Sequence, residues 1–221
     1  AVDLDFGKEQ SAYFKAKAAE LGAEIVSEDY IAMSDNDMTS VVSKIKSEGV
    51  DLIYMPNYYA HASEVCRQVA LQGLDVDILG CEGADSWQLL QTAGEYAEGL
   101  YITTNMDRDD PNESTQAYIE NYRAEYNMEP DMVGASVYDA FEVLFAAMKE
   151  VGTDSAAMQE YIANMKDFDT VTGTLMYYTS SGSAVKPVQI QRVGEDLQFH
   201  SYSVIDDIQI IDGDNIPVVE Y

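Results

Sequence analysis

The sequence predicts an α/β fold, a Rossmann-like parallel sheet flanked by helices, and three observations carry that prediction. Residues 51–55 and 76–80 are short apolar runs closed by turn residues, the pattern of strands buried within a sheet. Residues 58–72 between them carry helical spacing that stops at Gly73. Two strands joined through a helix form a βαβ unit, whose strands run parallel. Hydrophobic residues make up 47% of the 221-residue chain, enough for the core such a sheet needs.

The elements follow in order. Val2 to Leu4 reads as a strand and Gly7 to Leu21 as a helix, with Gly22 placed to end it in the left-handed conformation that glycine adopts without a Cβ penalty. Ala23 to Met33 is predicted as a strand. The run SDNDMTSVVSKIKSEG gives a helix capped by small polar residues. Its start is not a calcium loop, because the glycine and glutamate that an EF-hand needs at its sixth and twelfth positions are absent.

Beyond residue 80, an acidic loop leads into a short helix carrying Trp87 and Leu90, with Asp85 placed to cap it. Gly99 to Thr104 is a further strand, followed by the polar crossing NMDRDDPNES. Helices are predicted over 117–126, 132–151 and 155–165, the middle one striped by Phe141, Leu144, Phe145 and Met148. Strands are predicted over 171–177, 185–193 and 197–205, with turns at 180–183 and 194–196.

Ligands of open parallel sheets sit at the carboxyl ends of the strands, where the loops form a crevice. Tyr58 and Glu82 each lie just past such an end, so they belong to one rim. An aromatic ring beside a carboxylate suits a small ligand with a cationic head. On position alone the plainer alternative is favoured, with Glu82 a solvated loop acid and Tyr58 a residue of the first helical turn.

Forty acidic against twelve basic residues give a net charge of −28, which repels nucleic-acid phosphates and anionic membranes. Cys66 and Cys81 lack metal-ligand spacing, and His61 and His200 are isolated. The expectation is two buried free thiols, with a Cys66–Cys81 disulfide as the less favoured alternative, and no metal and no cofactor. No dinucleotide, P-loop, zinc-hydrolase or serine-hydrolase motif occurs, so the chain does not read as an enzyme.

The run RQVALQGLDVDILGCEGADS, with Tyr58-Tyr59 before it and AGEYAEGLYITT and EPDMVGASVYDA after it, resembles the leucine/isoleucine/valine-binding family. These are the type I periplasmic solute-binding proteins of branched-chain amino-acid ABC importers. The similarity extends from Val2 to about Val193. It implies a partial type I periplasmic-binding-protein fold, in which two lobes close on a ligand before delivery to membrane permease subunits. Glu82 is then implied as the acceptor of an amino-acid ammonium, Tyr58 as a ligand contact, and Phe6 as a flanking aromatic whose plainer role is to cover the core. An extracellular ligand-sensing domain of a receptor is the alternative with the same fold.

The resemblance also sets the expected organisation. Residues 1–104 form the second-lobe core, 105–171 a helical segment belonging to the first lobe, 172–205 the return, and 206–221 a C-terminal extension. Ala1 to Asp5 reads as the middle of a strand, so the chain is expected to be a piece of a longer protein. That protein would be extracellular or periplasmic, secreted or lipoprotein-anchored. The helices of 111–165 would present apolar faces with no sheet beneath them, and the alternatives are self-association with a second copy, packing against a separate N-terminal piece, or mobility.

Overall fold

The computed structural model describes residues 1–206 and 208, and the chain divides into two units. The first contains Ala1–Thr103 and Arg192–Gln198, the second Thr104–Gln191 and Phe199–Ile208. The predicted extension over 206–221 lies, but for residues 206 and 208, outside the described residues.

In the first unit, helices α1 (Asp5–Glu20) and α2 (Thr39–Glu48) precede strand β1 (Leu52–Met55), helix α3 (Tyr59–Leu71) and strand β2 (Asp77–Gly80). Helix α4 (Trp87–Ala93) and strand β3 (Tyr101–Thr104) follow. The three strands are parallel, with Leu52 opposite Asp77, Met55 opposite Gly80 and Leu79 opposite Tyr101. Ala62, Val65, Cys66 and Val69 recur at helical spacing on α3 and are all buried. Burial of a side chain the size of Val65 or Leu89 contributes about 1.5–3 kcal/mol.

The N-terminal segment is tied to this sheet by its backbone. Val2 donates its N–H to the carbonyl of Pro56 (3.2 Å), and Asp3 donates to that of Ile31 (2.8 Å). Where a strand was predicted over 23–33, only Ile31 makes a bridge among the described residues, parallel to Val2. Ile25 and Val26 are exposed. A strand needs a neighbour to satisfy its backbone, and the apolar content of this run supplies none by itself. The run instead borders a cavity of about 550 Å³ lined by Phe14, Val41, Ile45 and Ile53 among others.

One of two helix starts differs from expectation. Helix α2 is led by Asp37, whose Oδ1 accepts the N–H of Thr39 at 2.9 Å, while Met38 holds the N-cap position. Helix α4 is capped by Ser86, whose Oγ accepts the N–H of Gln88, rather than by Asp85, which is buried. Both Cys66 and Cys81 are buried and free. Burial pushes each thiol up to about 12, and at Cys81 the neighbouring Glu82 adds to the effect. Neither is therefore a thiolate nucleophile at neutral pH.

The second unit holds helices α5 (Glu113–Tyr126), α6 (Met132–Val151) and α7 (Ser155–Ala163). Asn112, Asp131 and Asp154 cap them, each accepting a backbone N–H of the first turn. The Asn112 cap explains why α5 begins four residues before the predicted start, since the propensity pattern alone gives no weight to a side chain outside the helix. Met106, Tyr118, Ile119, Ala135 and Val171 form one core cluster, and Val143, Met165 and Leu175 another.

The single strand predicted over 171–177 is instead a hairpin of β4 (Phe168–Thr170) and β5 (Gly173–Leu175), followed by β6 (Tyr177–Tyr178). Its cause is Asp139 on α6. The carboxylate accepts the N–H of Val171 (2.9 Å), the Thr170 hydroxyl (2.9 Å) and the Thr172 hydroxyl, and it pairs with Lys186 (2.6 Å). Three consecutive residues gathered by one carboxylate cannot continue an extended strand. Strand β7 (Ala184–Val185) pairs with β6, and β8 (Val188–Val193) begins after Pro187, with β9 (Phe199–Ile205) beside it. On α6, Val133, Val137, Phe141 and Phe145 follow one another at four-residue spacing and all are exposed.

Candidate functional site

The rim at the carboxyl edge of the first unit is assembled from three chain segments. Phe6 lies in the first turn of α1, Tyr58 is the N-cap of α3 just past β1, and Glu82 opens a short 3-10 turn, Glu82–Ala84, just past β2. Each is half-buried. The Phe6 and Tyr58 rings stack with centroids 5.3 Å apart and an interplanar angle of 23°, an arrangement that the ring quadrupoles favour when offset.

Two glycines make this convergence possible. A Cβ at Gly7 would lie 2.2 Å from the Val2 carbonyl oxygen, so only glycine lets α1 start against the N-terminal segment and hold Phe6 at the edge. A Cβ at Gly83 would stand 2.7 Å from the carbonyl oxygen of Asn57 and 3.3 Å from a ring carbon of Tyr58. The absent side chain thus lets the turn carrying Glu82 close onto the corner carrying Tyr58. Both contacts are dictated by sterics and neither depends on a left-handed backbone.

Behind the rim sits Gln10, which the sequence reading passed over. Its amide nitrogen donates to Glu82 Oε1 at 3.2 Å, and its amide oxygen accepts the hydroxyl of Tyr54 at 3.4 Å. A signal was present, because Gln10 stands four residues after Phe6 and so shares its helix face. Burial first, and then neighbouring Cys81 and Glu82, pushes the Tyr54 phenol above its ordinary range. It therefore remains a hydrogen-bond donor at any physiological pH. Beneath the rim, the side-chain oxygen of buried Asn57 has no hydrogen-bond partner among the described residues.

The cavity bordered by Ile25 and Val26 includes none of Phe6, Tyr58 and Glu82 in its lining. Its lining mixes aliphatic side chains with Lys15, Glu28 and Asp29, whereas the rim combines two stacked rings with one carboxylate. That combination can hold a small cation-bearing molecule by charge-assisted hydrogen bonding and by contact with the π faces. Among the described residues, no group of three or more His, Cys, Asp or Glu side chains is arranged for a metal ion. No described helix is long and apolar enough to cross a membrane.

The profile of a family described as periplasmic binding protein matches residues 1–198. The chain belongs to that family. Among its relatives, the Leu/Ile/Val-binding protein homolog 3 of Brucella melitensis is 29% identical over 174 residues, covering 78% of this chain and 47% of that protein. The Leu/Ile/Val-binding protein of Escherichia coli is 28% identical over 158 residues, covering 70% and 41%. This chain thus spans less than half the length of these curated relatives.

Solved structures of periplasmic binding proteins agree with the fold. The leucine-binding protein LivK from Thermotoga maritima superposes with a TM-score of 0.84 at 28% identity, over 93% of this chain and 59% of that one. The branched-chain amino-acid substrate-binding protein LivJ from Streptococcus pneumoniae, solved with isoleucine, gives 0.76 at 25% identity, over 92% and 57%. The fold is the type I periplasmic-binding-protein fold, and the proteins it matches are named as solute-binding proteins.

Proposed function

We propose that this chain supplies one wall of the ligand cleft of an extracellular or periplasmic solute-binding component of an ABC importer. Its ligand is an amino acid of the branched-chain class, and the complete protein delivers it to membrane permease subunits. Glu82 accepts the ligand's ammonium, while Tyr58 and Phe6 lie against its carbon skeleton. The observation that carries this proposal is the convergence of a stacked aromatic pair and the turn bearing Glu82 at one sheet edge.

The relatives lend support of two kinds. The Brucella and Escherichia coli proteins are named for leucine, isoleucine and valine, and the Streptococcus structure holds isoleucine. A structure from Rhodopseudomonas palustris with the same fold, at 20% identity and TM-score 0.82, holds benzoate, an acid without an amine. The fold alone is thus compatible with amine-bearing and amine-free ligands. A carboxylate on the rim favours the amine.

In this proposal the exposed apolar face of α6 serves as an association surface, either for a second copy or for the remainder of a longer chain. The functional test is isothermal titration of the full-length protein with branched-chain amino acids. Replacing Glu82 with glutamine should weaken binding by about 1.5–3 kcal/mol, the range for a hydrogen bond to a charged group. Affinity unchanged by that substitution would remove Glu82 from the site.

A further inference from the structure

One row of α1 meets the corner between β1 and α3 in three successive contacts. Phe6 stacks on Tyr58, Phe14 stacks on Tyr54 with centroids 4.1 Å apart and planes 13° apart, and Gln10 bonds Glu82 and Tyr54 between them. Residues 6, 10 and 14 repeat at four-residue spacing, so they occupy one helix face. The aromatic pairs at either end fix the helix against the strand. Gln10 is thereby held at a set distance from the turn that carries Glu82.

We infer that Gln10 is a positioning residue that orients the Glu82 carboxylate for an ammonium-bearing ligand, and that it does so as the middle member of a relay from Tyr54. The inference rests on the reading of Glu82 given above. The relay has one allowed polarity. A carboxylate only accepts, so the amide nitrogen must face Glu82 and the amide oxygen must face Tyr54, whose hydroxyl donates to it. Tyr54 is suited to that role because its buried phenol keeps its proton.

The chemistry also explains why an amide serves here. A carboxylate at position 10 would set two like charges against each other across about 3 Å. A lysine or arginine would neutralise Glu82 from within the protein and compete with the ligand's ammonium. A leucine would fill the space and leave the glutamate free to rotate, at a conformational cost on binding. A neutral amide restrains one carboxylate oxygen and leaves acceptor capacity for the ligand, because an ionised carboxylate offers about four lone-pair sites.

The test is a double-mutant cycle on the full-length protein, read by isothermal titration with whichever of the twenty amino acids gives the largest thermal shift. Gln10→Leu should weaken that amino acid roughly fivefold when Glu82 is present, and less than twofold in the Glu82→Gln background, since coupled residues are not additive. Tyr54→Phe, which keeps the stacked ring, should give a smaller loss with the same dependence on Glu82. Gln10→Lys should abolish most binding.

An equal loss from Gln10→Leu in both backgrounds would mark a merely structural role and overturn the inference. So would a Gln10→Leu affinity within twofold of the parent while Glu82→Gln weakens binding. If Gln10→Leu fails to fold, the decision passes to Tyr54→Phe, and a loss independent of Glu82 overturns the relay. Affinity unaffected by Glu82→Gln would overturn the site reading itself, and binding of none of the twenty amino acids would overturn both.

Discussion

Asp139 and Lys186 form a nearly buried pair, and the hydroxyls of Thr170 and Thr172 accept from the same ammonium at 2.6 Å each. Buried charges are tolerated when paired and hydrogen-bonded in this way. One helical turn further along α6, Glu142 feels the consequence. Burial first, and then the charge of Asp139, raises its carboxyl above the ordinary glutamate value, against a smaller opposing effect of Lys186. A raised acid pKa means that the folded state holds its proton more tightly than the unfolded chain. The penalty is absent below the unfolded value, grows as pH rises from there through the folded value, and is complete above it. Glu142→Gln should therefore raise the thermal midpoint at pH 7 and leave it unchanged at pH 3.5. A gain of equal size at both pH values would show that the side chain acts through packing and not through its charge.

At the scale of elements, caps decide where the second unit's helices begin. Asp131 Oδ1 accepts the N–H of Gly134 at 2.8 Å, and twenty residues of α6 follow from that point. Asp131→Ala should lower stability in urea by about 1 kcal/mol, and Asp131→Asn by less, as caps of this type do. An unchanged midpoint for the alanine variant would mean that tertiary packing, and not the cap, holds the helix start. Elements with both periodicity and punctuation were legible in the sequence, among them β1, α3 and β2 with their Gly73 break and the long run of α6. The run 23–33 had the composition of a strand, but pairing is a non-local property, and among the described residues only Ile31 found a bridge partner. The hairpin of β4 and β5 was hidden for a related reason, since it depends on a carboxylate more than thirty residues away.

At the scale of the molecule, the sequence placed Tyr58 and Glu82 on one edge because parallel topology forces the loops after β1 and β2 to the same side. The structure has that topology and brings Phe6 to the same edge. Tyr54 was not legible in advance, because it lies inside a strand whose position announces no site until the elements are packed, and Gln10 left only its four-residue spacing from Phe6 as a signal. The steric roles of Gly7 and Gly83 were likewise invisible, as each depends on a carbonyl from another segment. A net charge of −28 gives the chain a field that draws cations toward its surface and repels anions.

The most direct measurement is a crystal structure of the full-length protein with its tightest-binding amino acid. The rim geometry predicts the ligand's ammonium nitrogen within about 3.2 Å of a Glu82 carboxylate oxygen, at charge-assisted hydrogen-bond distance, with the Phe6 and Tyr58 rings against its carbon skeleton. An ammonium held by other groups, with Glu82 turned away and the two rings free of the ligand, would contradict it.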